Sequence, residues 1–360
     1  MALATTLGAP AAAADFAGVW QGTIGAQPVR ACFNQREWGT FGAYYYLSHL
    51  QAIALQQPDG QARGFVEGYD EHDSKSPRWT FDKLAPDSLA GNWAEGSRSL
   101  PIQLTRVPGV KLSEDETPCG SMAFQEPRLK GVRTVTRAAA KDGVAYTRLI
   151  LDHRGHFGED VSVETFAIPG GTSAVRKINA KLREPLAGNA DGWLDCIRMA
   201  ANNSPMGAEN SESYEPRLFS RRWLVVMHQW GGFCGGAHPD SSTTPMIFDL
   251  TTGAEIDVFD WFSDKAVKRE PVEGYPPLVS LRPQFRSLVL GRWKGEDAEC
   301  SDVVRTAEYW HAELTRTGFT FTPDLPHVAQ ACGEDFKVPF AKLQAWLSDK
   351  GTAGIAGLSR

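Results

Sequence analysis

The chain has 360 residues, of which 42% are hydrophobic and 22% are charged, and its formal net charge is −6. This length exceeds that of a typical single domain, so two domains are expected, each with enough apolar residues for a buried core. The negative charge, without a Lys-rich or Arg-rich stripe, argues against nucleic acid and against an anionic membrane surface as partners.

Residues 1–14, MALATTLGAPAAAA, are small and apolar and end in Ala-x-Ala spacing. An apolar segment before a small-residue cleavage site is typical of a secretory signal peptide, although the usual basic leader is missing. We interpret the segment as a signal-peptide remnant, and the alternative is a disordered Ala-rich tail. No other stretch reaches the ~18 continuous apolar residues of a membrane span. We therefore expect a mature chain without a membrane span that is periplasmic or secreted.

Residues 15–107 read as an all-β domain. Short segments rich in aromatic and β-branched residues alternate with clusters of Gly, Pro, Asp and Asn, which is the pattern of strands and turns. The segments are GVWQGTIG (18–25), PVRACF (28–33), FGAYYYL (41–47), ARGFVEGY (62–69), PRWTF (77–81), DSLAGNW (87–93) and SLPIQLTRV (99–107). Their regular spacing predicts an antiparallel barrel or sandwich.

Residues 108–127 are polar, acidic and proline-containing, and we interpret them as a linker. Residues 128–350 carry further strand patterns mixed with helical ones. Thr172 is expected to cap a helix in which Val175, Ile178 and Leu182 recur at spacings of three and four. Other helices are expected at 192–201, near 278–293, near 302–312 and at 341–349. Strands and helices without regular βαβ alternation predict an α+β fold, and residues 351–360 are expected to form a disordered tail.

Six cysteines are widely spread and include no C-x-x-C pair, which argues against zinc fingers and thioredoxin-like redox chemistry. Six cysteines allow about 15 disulfide connectivities. We expect the sequential one, because it keeps each bridge within one structural unit; the alternative is six buried free thiols in a cytosolic protein. The expected pairs are Cys32–Cys119, Cys196–Cys234 and Cys300–Cys332.

The most specific string in the sequence is GGAHP (235–239), which runs into MIFDLTTGAEIDVFDWF (246–262). Together with KINAKL (177–182) and TRTGFTFTPDLPHVAQACGEDFKVPFAKL (315–343), it resembles the extracellular domain of RsiV-type anti-sigma factors. The resemblance covers roughly residues 155–350, the C-terminal two-thirds only. It implies an α+β RsiV-like domain that binds lysozyme. The transmembrane helix and the sigma-factor-binding segment of that family have no counterpart here, so we expect capture of a ligand rather than signalling.

Four residues are candidates for binding. His238 and Asp240 are chosen because they lie in or beside the GGAHP loop, although a purely structural role for His238 is the simpler interpretation, since no orienting partner accompanies it. Tyr44 and Tyr46 are chosen because alternate side chains of a strand point to opposite faces, so YYYL would expose at least one tyrosine face. The acidic turn EGYDEHD offers oxygen ligands for calcium, but its spacing is not that of a calcium loop and favours a solvated hairpin tip.

Serine-nucleophile, P-loop and dinucleotide-binding fingerprints are not found in the sequence. We therefore expect no cofactor, no metal and no catalysis. The leading hypothesis is an exported bacterial envelope protein that binds a secreted protein such as a lysozyme-type muramidase. The alternatives are a module that binds cell-wall glycan such as peptidoglycan, or a hydrolase whose site the sequence does not display.

Overall fold

The computed structural model describes residues 16–68, 70, 75–188, 192–204, 207–291, 293, 295 and 298–358. The predicted signal-peptide remnant at 1–14 lies outside the described residues. So do residues 71–74, which include most of the acidic turn considered for calcium.

The N-terminal part is a closed antiparallel barrel of eight strands. Each strand pairs with the next, and the last pairs with the first, so the barrel has no free edge. The strands are β1 (Gly18–Ile24), β2 (Gln27–Arg36), β3 (Gly39–Tyr46), β4 (Ile53–Gln56), β5 (Gly64–Glu67), β6 (Arg78–Ala85), β7 (Ser88–Glu95) and β8 (Arg98–Arg106). The predicted antiparallel β fold is confirmed. The four-residue strand β4 was not predicted, because IALQ is too short to show a clear alternation.

Aromatic side chains fill the barrel. Phe16 closes one end and packs against Phe33, Phe65 and Phe81 at ring-centroid distances of 5.7, 5.1 and 5.5 Å. Burial of such large rings is the main favourable contribution that the barrel interior makes to folding.

The segment predicted as a linker packs against the barrel. Helix α1 (Met122–Gln125) leads into a 3-10 turn at Glu126–Leu129. The hydroxyl of Tyr45 on β3 donates a 2.8 Å hydrogen bond to the carbonyl oxygen of Phe124, and the Cys32–Cys119 disulfide fixes the segment to β2.

The α+β part is built around a seven-stranded sheet in the order β15-β14-β13-β12-β11-β10-β9. All neighbours are antiparallel except β11 and β12, which are parallel because two helices connect them. The elements are β9 (Arg133–Lys141), β10 (Val144–Asp152), β11 (Val161–Ala167), α2 (Ser173–Arg183), α3 (Trp193–Asn203), β12 (Glu209–Phe219), β13 (Trp223–Phe233), β14 (Asp240–Asp249) and β15 (Glu255–Ile256).

Helix α2 covers one face of this sheet and begins as predicted. The hydroxyl of Thr172 accepts a hydrogen bond from the Val175 amide at 3.2 Å, which satisfies one of the free donors at the helix start. Ile178 and Leu182 are fully buried against the sheet. A 3-10 turn at Glu184–Ala187 follows.

The opposite face of the sheet packs on a second layer. Trp223, Val225 and Ile247 of the sheet share one core with Trp310 and Phe319 of that layer. Its elements are β16 (Val267–Val272), β17 (Tyr275–Leu281), α4 (Pro283–Leu290), α5 (Ala298–Thr306), β18 (Tyr309–Leu314), β19 (Gly318–Asp324), β20 (Phe336–Pro339), α6 (Phe340–Leu343) and α7 (Asp349–Ala356), with 3-10 turns at Val258–Trp261, His327–Cys332 and Gln344–Trp346.

Two helix predictions and the predicted disordered tail need correction in this region. The helix expected near 278–293 begins only at Pro283, because residues up to Leu281 pair with β16. The helix expected near 302–312 ends at Thr306, since the next residues form β18. Residues 351–356 belong to α7 instead of a disordered tail, and the Ser348 side chain caps that helix by accepting from the Gly351 amide.

Disulfides follow the sequential connectivity: Cys32–Cys119, Cys196–Cys234 and Cys300–Cys332. The second ties α3 to the end of β13, and the third ties α5 to the 3-10 turn at His327–Cys332. Three disulfides are typical of chains that fold in an oxidising compartment. No helix in the described ranges has the length and apolar character needed to cross a membrane.

Candidate functional site

His238 and Asp240 lie on the surface where β13 turns into β14, and both are exposed. Nδ1 of His238 is 2.8 Å from its neighbour's carbonyl oxygen, that of Pro239. One carboxylate oxygen of Asp240 accepts from the Ser241 amide at 2.7 Å. These local hydrogen bonds hold the turn and leave the imidazole ring face open to a second segment.

That second segment is the 3-10 turn that His327 begins. The rings of His238 and His327 pack against each other in a tilted arrangement, with centroids 4.7 Å apart and planes 30° apart. The neighbouring Val328 is 93% exposed, which is unusual for an apolar side chain in a segment closed by a disulfide. We call His238, Pro239, Asp240, His327 and Val328 the histidine ridge.

A groove of about 610 Å³ is lined by residues that follow the two segments of the histidine ridge in the chain, although no ridge residue is part of its lining. The chain after His238 reaches its wall at Thr243 on β14, and the chain after the 3-10 turn reaches it at Glu334 and Asp335. The groove therefore separates the seven-stranded sheet from the three-stranded sheet of β18, β19 and β20. Its other lining side chains include Arg217, Met227, Gln229, Pro245, His311, Glu313 and Thr322.

Carboxylates outnumber cations along this groove. Burial raises the pKa of Glu313, and the charge of Asp335 raises it further, while Arg217 at 3.6 Å lowers it. His311 lies 3.9 Å from Asp324 on the neighbouring strand. An arrangement in which buried and exposed carboxylates share one cation favours a positively charged ligand.

Tyr44 is not exposed on the barrel surface, contrary to the expectation from the strand pattern. Its ring lies inside the barrel and is 1% exposed. Its hydroxyl donates to Oε1 of Glu67 at 2.7 Å, and burial, with Glu67 adding to it, raises the pKa of Tyr44 far above its ordinary range. Tyr46 is half-buried, with its ring 5.5 Å from that of Tyr44.

The four predicted binding residues therefore do not form one site. Tyr44 and Tyr46 belong to the barrel, whereas His238 and Asp240 lie on a turn of the α+β part. The structure joins His238 to His327 instead. Sequence reasoning missed His327 and Val328, because their position depends on how the 3-10 turn packs against a hairpin almost ninety residues away.

A second polar arrangement, also missed, lies on the face of the sheet that α2 covers. Oε1 of Glu212 is 3.1 Å from Nε2 of His228 and accepts from the Tyr214 hydroxyl at 3.3 Å. The rings of Tyr214 and His228 stack with centroids 4.3 Å apart. Burial, and then Glu212, raise the pKa of Tyr214. A carboxylate that orients an imidazole is the geometry of a general base.

The sequence does contain a signal for this arrangement. Asn210, Glu212 and Tyr214 alternate along β12, so three polar side chains occupy a sheet face that would otherwise be apolar. Asn210 is 1% exposed, and its side-chain oxygen accepts from the indole of Trp230 at 3.1 Å. Within the described part of the chain, no group of three or more His, Cys, Asp and Glu side chains is placed to hold a metal ion.

No protein-family model matches the sequence, and no curated protein matches it. Among solved structures, the chain is similar to a DUF3298 family protein from Pseudomonas aeruginosa PAO1, with 13% identity and a TM-score of 0.36 over 62% of this chain and 97% of that one. It is also similar to a DUF3298 family member from Bacteroides fragilis, with 12% identity and a TM-score of 0.36 over 62% of this chain and 94% of that one.

Proposed function

We propose that this protein works in the periplasm or outside the cell as a non-enzymatic binding protein for a secreted protein, and that its partner is a basic muramidase of the lysozyme type. The observation that carries the proposal is the histidine ridge. It presents two packed imidazoles and a 93% exposed valine, and residues that follow it in the chain line an acidic groove. The biological result is inhibition, sensing or immunity.

Rigidity supports a role in recognition. The Cys300–Cys332 bond closes one side of the ridge, and the pairing of β13 with β14 continues to Gly232 and Asp240 on the other side. A surface that is already ordered loses little conformational entropy when a partner docks. An exposed apolar side chain inside a polar surround is the usual composition of an interaction centre.

Charge supports a cationic partner. The groove has Glu313, Glu334 and Asp335 against Arg217, and the whole chain carries a net charge of −6. Complementary charge increases the association rate and orients the encounter. The three disulfides support a location where secreted enzymes are met.

The test is a calorimetric titration with a basic lysozyme-type muramidase, run with a lysis assay on the same samples. Wild-type protein is expected to release or absorb heat with a defined stoichiometry and to inhibit lysis. Val328→Asp is expected to weaken binding about tenfold or more, as loss of a central apolar contact does. The matched control is Val272→Asp, because Val272 is also exposed but lies on the β16–β17 hairpin.

Two results would contradict the proposal. Absence of heat together with unimpeded lysis would exclude this muramidase as partner. Equal weakening by Val328→Asp and Val272→Asp would exclude the histidine ridge as the contact surface. Retention on purified peptidoglycan by wild-type protein and by both variants would support glycan binding instead.

A second candidate function is hydrolysis, and the contact of Glu212 with His228 favours it. In this candidate His228 acts as a general base that takes a proton from water, and Glu212 orients its ring. A zymogram on cell-wall material tests it directly. Clearing by wild-type protein but not by His228→Ala would support hydrolysis, and the same result for both proteins would exclude His228 as the base.

A further inference from the structure

A cleft of about 510 Å³ lies between the barrel and the α+β part, away from the histidine ridge. This volume is within the range of small-molecule sites. The barrel contributes Phe41 and Ala43, and the other wall contributes Phe124, Phe157 and Ile197. Apolar side chains therefore form part of both walls, beside polar and charged ones.

Arg128 lies in the wall of this cleft and is only 5% exposed. Its Nε donates to the Leu50 carbonyl at 3.1 Å, Nη1 to Gln125 Oε1 at 2.7 Å, and Nη2 to the His156 carbonyl at 2.6 Å. All three acceptors are neutral. The guanidinium also stacks on Phe157 at 4.3 Å.

The charge of Arg128 has no carboxylate partner. Within the described part of the chain, no ion pair joins Arg128 to an acid. Burial lowers the pKa of Arg128 to about 10, so the group stays charged at neutral pH. Of the five N–H bonds of a guanidinium, three are used here, which leaves two for a ligand. A buried charge without a counter-charge is costly, and an anion in the cleft would remove that cost.

Three carboxylates also line the cleft. Glu159, Asp160 and Glu209 line it and are exposed. The cleft thus combines one buried cation, several apolar side chains and three exposed carboxylates. A simple anion would be attracted by Arg128 and repelled by the carboxylates, whereas a molecule that carries both charges can pair with both.

We propose that the interdomain cleft binds a zwitterion of the amino-acid class, a free amino acid or a short peptide. Its carboxylate lies against Arg128, its ammonium group faces Glu159 and Asp160, and its side chain contacts the apolar side chains of the walls. This site is independent of the partner proposed for the histidine ridge. It makes the protein a receptor for a small ligand in addition to a protein-binding one.

The test is a calorimetric titration of the full chain with the dipeptide Ala-Phe and with two derivatives of it. The C-terminal amide removes the carboxylate, and the N-acetyl form removes the ammonium group. We expect Ala-Phe to bind, the amide to bind at least tenfold more weakly, and the acetylated form to bind about threefold to tenfold more weakly, because the rim charges are solvated. Free phenylalanine in a parallel titration shows whether one residue is sufficient.

Variants test which residues bind the carboxylate and which bind the ammonium group of the ligand. Arg128→Lys keeps the charge but loses the planar fork, and is expected to weaken Ala-Phe binding about tenfold. The double variant Glu159→Gln, Asp160→Asn changes only exposed side chains, so it is expected to fold normally and to erase the difference between Ala-Phe and its acetylated form. Glu114→Gln, an exposed acid in the linker, is the matched control and is expected to bind as the wild type does.

The outcomes are decisive even if Arg128→Lys does not fold. Equal binding of Ala-Phe and its amide to wild-type protein would overturn the proposal, and so would the absence of any Ala-Phe or phenylalanine binding. A double variant that still discriminates against the acetylated form would remove the rim carboxylates from the site.

Discussion

The indole nitrogen of Trp93 donates a 2.7 Å hydrogen bond to Oε1 of Glu67 inside the barrel. Trp79 and Tyr44 donate to the same oxygen, at 3.0 and 2.7 Å. One carboxylate oxygen thus satisfies three buried donors from three different strands. These three hydrogen bonds hold the aromatic side chains of the barrel interior in place and explain why a carboxyl group is found among them.

Glu67→Ala is therefore expected to destabilise the barrel strongly. Each buried donor left without an acceptor costs about 1–3 kcal/mol, so a loss of about 3 kcal/mol or more is expected. Glu67→Gln keeps an acceptor oxygen at the same position and is expected to lose less than half as much. Guanidinium unfolding followed by tryptophan fluorescence measures both. A Glu67→Ala variant as stable as Glu67→Gln would contradict this role.

The three disulfides predict a specific mass change. Reduction of the denatured protein is expected to add about six hydrogens, one pair for each bridge. Non-reducing peptide mapping is expected to recover Cys32 with Cys119, Cys196 with Cys234 and Cys300 with Cys332. An unchanged mass would mean that the chain is reduced, and would remove the argument for an oxidising compartment.

Asp142 joins the β9–β10 hairpin to two other segments. Its carboxylate accepts from the Phe219 amide at 3.0 Å and lies 3.0 Å from Arg316. The Phe219 hydrogen bond, with Arg316 adding to it, lowers the pKa of Asp142. A lowered pKa stabilises the fold above the ordinary aspartate range, near 4, and this contribution is lost as pH falls through the lower folded value.

Asp142→Asn is accordingly expected to lower Tm at pH 7 and to approach the wild type in acid. The difference at pH 7 is expected to be about 1 kcal/mol or less, because Asp142 and its partner Arg316 are both partly accessible to solvent. Asparagine tolerates the left-handed backbone that Asp142 adopts, at φ 54°, so the backbone is not strained. Melting curves from pH 7 down to pH 3 test this. A difference in Tm between variant and wild type that does not change with pH would contradict this role of Asp142.

The contribution of Glu313 to stability has the opposite dependence on pH. Its pKa is raised, chiefly by burial, so the neutral form favours folding. That stability is present below the ordinary glutamate range, near 4, and is lost as pH rises through the higher folded value. Glu313→Gln is therefore expected to equal the wild type in acid and to exceed it in Tm at pH 7. A variant less stable than wild type at pH 7 would show that the Arg217 contact dominates.

Local sequence patterns predicted much of the fold. The strands of the barrel could be predicted from the turn residues between aromatic segments, because a strand is recognised by the alternation of apolar and polar residues within its own short segment. The start of α2 could be predicted from Thr172, because its side chain caps the amide of a residue only three positions later. Helix ends near Leu281 and Thr306 could not be predicted, because the pairing of β16 with β17 and of β18 with β19 overrides the helical pattern there.

The candidate sites depend on contacts that no local pattern contains. His238 was found from its loop, but its partner His327 requires the packing of two distant turns. Glu212 and His228 meet because β12 and β13 pair with Tyr214 opposite His228. The burial of Tyr44 could not be predicted, because only closure of the barrel decides which face of β3 is inside.

The most direct test of the histidine ridge is hydrogen–deuterium exchange with and without the muramidase. We predict slower exchange in 236–243 and 327–334 when the partner is bound, with no change in the barrel strands. Protection confined to other segments, or no protection at saturating muramidase, would contradict it.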